Sequence, residues 1–513
     1  MTEESLKNSK RIAKNTMLLY FRMLLTMLVS LYSVRVVLDT LGIVDYGIYN
    51  VVGGIVIAFS FFSSTMASAS QRFFAFEIGR GDFVQLKKTF SMMLIIYCLI
   101  AVIIVLLAET LGLWFLNYKM VIPSNRMNAV NWVFQFSIFS FVLTMFQVPY
   151  DAIVIARERM KVYAYLSILE VTLKLIVVYL LVIFPFDKLT TYAILMFVVT
   201  LIITWMYRIY CLRNFQESRF KYYWNKKLFR EIIMYSGWSL FGAFASIFNN
   251  QGINIILNLF FGPAVNAARG IAYQISTTIN GFVQNFMIAA RPQITKYYAQ
   301  RQYDEMLNLV FQSSKYSFFL LYLISLPFLL RTNFIFKIWL TTVPDYVVSF
   351  SQIIIITSLI ESLSYPLMAA AQATGQIKNY QIIIGGCLLL NLPIAYVLVK
   401  IGYAPETTLI VILVNSIICL FLRLIILRKM IGLVIKSFLL NVIVPVLSVS
   451  IIAFIFSYYI NSEYRQTDFF GFLLISSSAV AATLFCIYFI GLKSSERYRF
   501  NKWIVKLVTK KEN

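Results

Sequence analysis

Charged side chains stand within long apolar stretches of this sequence, where only a specific role makes them tolerable. A charge at the centre of a bilayer costs roughly 2.5–3.5 kcal/mol, so charges in such stretches often mark a ligand or ion pathway. Glu170 and Lys174 are four positions apart and share one face of a helix. They are either an ion pair neutralised against a neighbouring helix or a charged pair in the wall of a polar cavity.

Three arginines are candidates for binding an anion. Arg22 and Arg35 lie in the first apolar stretch, and Arg269 opens the eighth. A guanidinium keeps its charge and binds phosphate through two parallel hydrogen bonds. The alternative for Arg22, and for Arg35 with Asp39 four residues after it, is that the long side chain extends to the membrane interface.

Side-chain amides form a second group of candidates in the seventh and eighth apolar stretches. Apolar surroundings penalise amides, so these groups must face protein or water. They either form hydrogen bonds between helices or line a hydrated cavity, where they would pair well with sugar hydroxyls. The group consists of Asn249, Asn250, Gln251, Asn254, Asn258, Asn280, Gln284 and Asn285.

Glu361 is the candidate for ion coupling. It lies near the middle of the tenth apolar stretch and has no basic residue four positions away in either direction. A carboxyl group removed from water readily takes up a proton, so this side chain could carry a coupling ion, either H+ or Na+. The alternative is a carboxylic acid that is simply held neutral.

Residues for covalent or metal chemistry are missing from the sequence. There is no histidine, and the five cysteines stand singly within apolar stretches. Neither an imidazole base nor a Cys-x-x-Cys metal motif is therefore available. We predict no catalytic residue, no metal site and no cofactor other than the coupling ion.

The elements that must position these residues are membrane-spanning helices. Hydrophobic residues make up 60% of the 513 residues and charged residues 13%, which is typical of an integral membrane protein. A helix needs about 20 apolar residues to cross the bilayer. The sequence therefore predicts an all-α integral membrane protein with about 14 transmembrane helices, at 18–38, 47–69, 90–115, 129–150, 163–184, 189–211, 232–260, 267–289, 316–338, 347–370, 380–401, 407–427, 438–460 and 469–492.

The distribution of basic residues predicts the orientation of these spans. If the N-terminus is cytoplasmic, most of the 45 Lys and Arg residues lie in cytoplasmic segments, as membrane proteins prefer. Both termini are then cytoplasmic. The net charge of +23 indicates contact with the anionic surface of the lipid bilayer rather than with nucleic acid, because no soluble basic module is present.

Two sequence patterns recur at nearly the same offset along the chain. Pro149 and the segment 156–163 match Pro366 and the segment 373–380. The loop at 41–47, which joins the first two spans, has a similar counterpart at 261–267, between the seventh and eighth. A unit of six spans is even, so both copies enter the membrane from the same side and the repeat is parallel.

The repeat predicts a two-lobe transporter that works by alternating access. The N-lobe would comprise 1–215 with spans one to six, and the C-lobe 216–430 with spans seven to twelve. Residues 431–513 would add two C-terminal helices and a basic cytoplasmic tail. Two like lobes that face one another across a cavity are typical of secondary transporters.

Four motifs carry a family resemblance. They are Leu-Gly-x-x-x-Tyr-Gly at 41–47, the segment from Arg-Phe to Gly-Asp at 72–82, the Pro…Trp-Leu…Pro-x-Tyr region at 327–346, and Ala-Thr-Gly-x-x-Lys-x-Tyr at 373–380. With these motifs the chain resembles the Wzx-type polysaccharide flippases of the multidrug/oligosaccharidyl-lipid/polysaccharide (MOP) exporter superfamily, which share a two-lobe fold with the MATE transporters.

The resemblance implies a bacterial inner-membrane flippase for a polyprenyl-pyrophosphate-linked oligosaccharide, used in O-antigen, lipopolysaccharide, capsule or exopolysaccharide synthesis. It implies that Arg22, Arg35 and Arg269 contact the pyrophosphate, and it makes polysaccharide polymerase machinery a candidate partner. A multidrug/cation antiporter of the same fold is the nearest alternative, although arginines disfavour a cationic drug. A membrane polysaccharide polymerase or ligase is the other, although the sequence has no Asp-x-Asp motif, no P-loop and no large loop.

Overall fold

Helices account for all the regular secondary structure in the part of the chain that the structure describes. A computed structural model describes residues 15–29, 32–33, 36–37, 40–41, 45, 49, 60–118, 124–339, 343–463, 469–498 and 501. The helices are α1 (Asn15–Val29), α2 (Ser60–Arg80), α3 (Phe83–Leu107), α4 (Leu113–Tyr118), α5 (Met127–Ala156), α6 (Met160–Ile183), α7 (Lys188–Asn214), α8 (Lys226–Phe261), α9 (Pro263–Ala299), α10 (Tyr303–Leu330), α11 (Thr332–Trp339), α12 (Val347–Thr374), α13 (Lys378–Leu389), α14 (Asn391–Lys400), α15 (Glu406–Ile431), α16 (Ile435–Phe438), α17 (Val444–Glu463) and α18 (Phe469–Cys486).

Eleven helical segments of the described residues are long and apolar enough to cross a membrane. They correspond to eleven of the fourteen predicted spans, which confirms a multi-pass, all-α membrane protein. The first two predicted spans fall partly on residues outside the described ones. The eighth is α9, a helix of 37 residues that carries too many polar side chains to count as an apolar span.

Helix ends are set by short polar side chains and by glycine. Asp82 accepts a hydrogen bond from the backbone N–H of Gln85 at 2.8 Å and caps the start of α3, and Asp187 caps α7 in the same way through Thr190 at 2.9 Å. Such caps satisfy backbone donors that have no partner in the first helical turn. At Gly432, with φ of 70°, α15 ends in the left-handed conformation that glycine adopts without strain.

The two predicted repeats have the same pattern of helices. Equivalent helices start at a nearly constant spacing along the chain, α3 with α10, α5 with α12, α6 with α13 and α7 with α15. Left-handed turn residues recur too: Gly81 pairs with Arg301, and Glu158 with Gly375. Because a non-glycine residue in this conformation costs about 1–2 kcal/mol, its retention shows that the turn geometry itself repeats.

Breaks within the helices also recur. A π-helical turn at Ala108–Gly112 separates α3 from α4, and α10 gives way to α11 shortly after Pro327, the position equivalent to the end of α3. Pro149 lies inside α5 and Pro366 inside α12, each within the last two or three turns. Proline and π-turns are the ordinary causes of helix bending.

The chain divides into two compact units. Unit 1 consists of Met1–Ala243, Ile288–Gln302 and Gly375–Lys378; unit 2 consists of Phe244–Met287, Tyr303–Thr374 and Asn379–Asn513. The lobe boundaries expected at 215 and 430 stay a prediction.

The core of unit 1 is aromatic and sulfur-rich. The Phe90 ring lies 5.5 Å from that of Phe74 and 5.3 Å from that of Tyr150, measured between centroids, and it joins α3 to α2 and α5.

On the predicted outer side, Arg126 donates to Asp45 at 2.9 Å and to Asp187 at 2.7 Å. Desolvation opposes ionisation of Asp187, but hydrogen bonds from Thr190 and Arg126 outweigh it and lower the pKa of this carboxyl.

In unit 2 the last two membrane helices are attached to α10. Lys315 Nζ of α10 lies 2.6 Å from Glu496 Oε2, just after α18, and both side chains are buried. The Tyr322 hydroxyl donates to the backbone carbonyl of Ser450 on α17 at 2.7 Å. α17 and α18 are therefore part of unit 2.

Candidate substrate-binding site

One side of α9 carries a row of polar residues. Arg269, Tyr273, Ser276, Asn280 and Gln284 follow one another at intervals of four, three, four and four residues. Residues at these intervals lie on the same helix face. We call this row the α9 polar face; at 1.5 Å per residue it extends for about 22 Å along the helix.

Arg269 lies at one end of the α9 polar face and is 3% exposed. Its Nη1 donates to Asn254 Oδ1, and its Nη2 donates to Asn250 Oδ1 at 3.4 Å. The guanidinium carbon lies 4.3 Å from the centroid of the Tyr273 ring. The structure therefore brings together three of the predicted site residues, one from α9 and two from α8.

The neighbours of Arg269 are neutral. In the described part of unit 2 no carboxylate forms an ion pair with it within 4 Å, and its Nε has no hydrogen-bond partner there. Amides and an aromatic ring orient the guanidinium but do not cancel its charge. The result is a buried positive charge with spare donor capacity, which is the chemistry that an anionic group requires.

The middle of the α9 polar face is connected to α12. Ser276 and Ser358 hydroxyls lie 2.9 Å apart, and Asn280 Nδ2 donates to Ser358 at 3.0 Å. The Asn280 carbonyl oxygen is buried and has no partner among the described residues. Gln284 is half-buried on the same face, whereas Asn249 is buried on α8 with its own side-chain oxygen unsatisfied in the described structure.

The charge of Arg423 on α15 acts on Glu361 of α12, although the described residues show no ion pair between the two side chains within 4 Å. Arg423 is buried; its Nε donates to the Tyr380 hydroxyl at 3.0 Å and its Nη1 to Ser364 at 3.1 Å. Its charge interacts with Glu361. Because Arg423 belongs to a different helix, a search for partners along the helix of Glu361 alone does not find it. The position of Arg423 in the middle of an apolar span is the sequence feature that could have indicated this interaction.

A second polar cluster lies in unit 1 around Arg22. Arg22 Nη1 donates to the Ser167 hydroxyl at 3.3 Å, and its guanidinium carbon lies 4.7 Å from the centroid of the Tyr163 ring. Its charge interacts with Asp151, which also accepts a hydrogen bond from Tyr207. Sequence reasoning missed Asp151, although a carboxylate two residues after the proline of an apolar helix could have indicated it.

Glu170 and Lys174 form the ion pair that their spacing predicts. Lys174 Nζ lies 2.6 Å from Glu170 Oε1, and the side chains are 40% and 37% exposed. Glu170 also interacts electrostatically with Asp151, so the pair borders the Arg22 cluster. Arg35 lies outside the described residues.

Neither cluster resembles a metal centre. Within the described residues, no three or more Cys, Asp or Glu side chains come together closely enough to hold a metal ion. What the two clusters offer is buried guanidinium, amide, hydroxyl and carboxyl groups in helices that cross a membrane.

Similarity to known proteins identifies the family. The profile of a family described as polysaccharide biosynthesis protein matches residues 12–298, more than half of the chain. The chain belongs to this family. The match confirms the resemblance that the motifs predicted. No curated protein matches the sequence.

Solved structures of similar fold are transporters. A multidrug resistance MATE family transporter of the MOP superfamily, in an outward-facing conformation, aligns with a TM-score of 0.72 at 12% identity, over 84% of this chain and 98% of its own. A MATE in a bent conformation aligns with a TM-score of 0.71 at 13% identity, over 85% of this chain and 100% of its own. A MOP superfamily transporter from Pyrococcus furiosus, described as having a binding pocket of reverse polarity, aligns with a TM-score of 0.67 at 13% identity. The alignment covers 84% of this chain and 98% of that transporter.

At these identities the likeness shows the fold alone. The fold is that of the MATE-like MOP transporters, and the family is one of polysaccharide biosynthesis.

Proposed function

We propose that the protein is a flippase for a polyprenyl-pyrophosphate-linked oligosaccharide. It moves this lipid from the cytoplasmic to the periplasmic leaflet of the bacterial inner membrane by alternating access. The product serves the synthesis of O-antigen, capsule or exopolysaccharide. Family membership supports the role in polysaccharide synthesis, and the fold supports transport.

The environment of Arg269 carries the proposal. Its guanidinium is buried, oriented by Asn250 and Asn254 and left without a counter-charge among its described contacts. Such a charge is costly in a membrane protein unless an anion neutralises it. A pyrophosphate meets this requirement, whereas a cationic drug would be repelled.

The rest of the α9 polar face suits the glycan. Asn280 and Gln284, together with Asn249 of α8, offer amide groups that pair with sugar hydroxyls. We assign Arg22 a supporting role in holding the pyrophosphate, because Asp151 already interacts with its charge. Arg35 is proposed for the same group from its place in the first span.

Ion coupling is proposed at Glu361. This carboxyl group faces the charge of Arg423, which Tyr380 and Ser364 hold in place. Uptake of H+ or Na+ by Glu361 would change the local charge next to Arg423. A change of charge at this position would alter the attraction between α12 and α15, and it would thereby couple ion binding to the packing of the two helices.

The test is a deletion of the gene in its host, followed by analysis of the membrane lipids. Spheroplasts are treated with an enzyme that cannot cross the membrane and therefore modifies only glycan on its outer face. The polyprenyl-pyrophosphate glycan is then extracted, and the unmodified fraction gives the amount on the cytoplasmic face. We expect the lipid to accumulate on the cytoplasmic face and surface polysaccharide to be lost. A plasmid copy should restore both.

Two other outcomes would contradict the proposal. An unchanged lipid pool with altered resistance to toxic cations would indicate a multidrug antiporter. Accumulation of short glycans on the periplasmic face would indicate a polymerase or ligase, because such an enzyme acts after the lipid has crossed.

A further inference from the structure

Two turns occupy equivalent positions in the two repeats. Residues 157–159 connect α5 to α6, and residues 375–377 connect α12 to α13. Each turn passes through one left-handed residue, Glu158 with φ of 56° and Gly375 with φ of 78°. Both turns lie on the predicted cytoplasmic side, and both belong to unit 1.

The turn of the first repeat binds the end of α9, which belongs to the second repeat. Lys296 Nζ lies 2.5 Å from Glu158 Oε1, and the side chains are 14% and 2% exposed. An ion pair this well buried depends on both partners, since the loss of either leaves a buried charge uncompensated.

Close packing of α2 against α9 surrounds this ion pair. The rings of Phe76 and Tyr298 lie 6.4 Å apart between centroids. A Cβ placed on Gly79 would lie 2.8 Å from the Cβ of Ala299. Glycine at position 79 therefore permits an approach that any side chain would hinder.

The turn of the second repeat lies against Arg72, in the C-terminal half of α2, which belongs to the first repeat. A Cβ on Gly375 would collide with Nη2 of Arg72. The Arg72 guanidinium carbon also lies 5.6 Å from the centroid of the Tyr235 ring. Three residues further on, Lys378 Nζ lies 5.4 Å from the centroid of the Trp238 ring.

The two sets of contacts are reciprocal. Each turn contacts the C-terminal half of the other repeat's second helix, because α2 and α9 are equivalent in the repeat. The contacts explain why two short pieces of the second repeat, Ile288–Gln302 and Gly375–Lys378, belong to unit 1.

We propose that Arg72, Glu158, Lys296 and Gly375 form a latch that closes the cytoplasmic side of the transport path. The latch must open for each substrate that enters from the cytoplasm and must close before release on the other side. The location of the latch on that path rests on the proposed function. The Glu158–Lys296 ion pair is its charged half, and the Arg72–Gly375 contact is its steric half.

A reversible thiol cross-link measures closure of the latch directly. The five native cysteines, Cys98, Cys211, Cys387, Cys419 and Cys486, are first replaced. Phe76→Cys and Tyr298→Cys then place one thiol on α2 and one on α9, at positions whose rings lie 6.4 Å apart between centroids. Gly79 is left unchanged, because a side chain there would collide with α9. We expect a short bifunctional methanethiosulfonate to bridge the two thiols efficiently in membranes and to block transport until a reductant removes the bridge.

Charge reversal tests the ion pair in this background. Glu158→Lys or Lys296→Glu alone should lower the ratio of closed to open protein about 5- to 150-fold, the usual range for a coupling between two states. The double reversal should restore it. Arg159→Glu, an exposed position on the same turn, is the matched control and should leave cross-linking unchanged.

Two results would overturn the latch. One is an undiminished cross-linking yield in both single reversals, and the other is an equal loss in the single and double reversals. The cross-linking yield measures how often the latch is closed, and it does not depend on which substrate the protein transports. The latch can therefore fail while the glycolipid flippase stands, and the flippase can fail while the latch stands.

Discussion

At the scale of single residues, charge compensation distinguishes the candidate groups. The charge of Asp151 acts on Arg22 and that of Arg423 acts on Glu361, whereas Glu170 and Lys174 form a direct ion pair. Arg269 alone among these is framed by neutral groups in the described structure. A charge that another charge compensates contributes to packing, whereas a buried charge without compensation is available to a ligand.

We predict that Arg269→Gln abolishes transport without preventing insertion. Loss of a charge-assisted hydrogen bond costs about 1.5–3 kcal/mol, so affinity for the lipid-linked pyrophosphate should fall roughly 10- to 100-fold. Arg269→Lys should recover only part of the affinity, because an ammonium group cannot bond to Asn250 and Asn254 and to phosphate in the fork of a guanidinium. Binding to purified protein and abundance in the membrane are the two measurements. Normal binding by Arg269→Gln would refute the assignment.

Glu361→Gln is predicted to blunt the pH dependence of transport while leaving the protein abundant. The amide cannot take up a proton, but it keeps the size of the side chain and can bond to its neighbours. Transport into vesicles is measured across a range of pH, and Asp304→Asn, at an exposed carboxylate in the first turn of α10, serves as the control. An unchanged pH profile in Glu361→Gln would exclude this residue from coupling.

At the scale of helices, the attachment of α17 and α18 has a clear physical basis. The buried Lys315–Glu496 ion pair fastens the end of α18 to α10. Gly491 lies so close to Phe319 that a side chain there would clash. The C-terminal pair is thus bound through specific contacts and not only by the lipid around it.

Lys315→Met should destabilise the protein by about 3–5 kcal/mol, because it leaves Glu496 charged and buried. The double variant Lys315→Met/Glu496→Leu should regain most of this stability, since it removes both charges. Thermal unfolding in detergent and protease cleavage after α18 provide the readouts. Equal stability of the single variant and the parent would show that the pair contributes nothing to the attachment.

At the scale of the whole molecule, the basic segment formed by the α7–α8 loop and the first turn of α8 predicts the orientation. Five basic residues and no acidic residue lie between positions 219 and 230, where Tyr222 and Trp224 are also exposed. Basic residues together with aromatic residues are typical of the cytoplasmic membrane interface. The helix pair α3–α4 extends from Phe83, on the predicted cytoplasmic side, to Tyr118, which we therefore expect on the opposite side.

Single cysteines can test this orientation in the cysteine-free background. Tyr222→Cys should react with an impermeant maleimide only after the inner membrane is opened, whereas Tyr118→Cys should react in spheroplasts. Both positions are well exposed, at 73% and 78%, so access and not burial determines the labelling. The reverse labelling pattern would invert the proposed direction of transport.

The sequence alone determined the features that depend on local composition. Apolar length predicted the spans, and the near-constant offset between matching motifs predicted a repeat that the helix starts and left-handed turns confirm. The Glu170–Lys174 pair followed from a spacing of four residues. These features can be predicted from the sequence because the bilayer imposes a fixed helix length, and because a helix brings residues three or four positions apart together by a known geometry.

Only the tertiary structure decided which distant side chains meet. It brought Arg423 within electrostatic range of Glu361 and Asp151 within range of Arg22, and it joined Glu158 to Lys296 across 138 residues of sequence. Such contacts depend on how helices are rotated and packed against one another. Rotation and packing are set by the shape and charge of many side chains at once and leave no local pattern in the sequence.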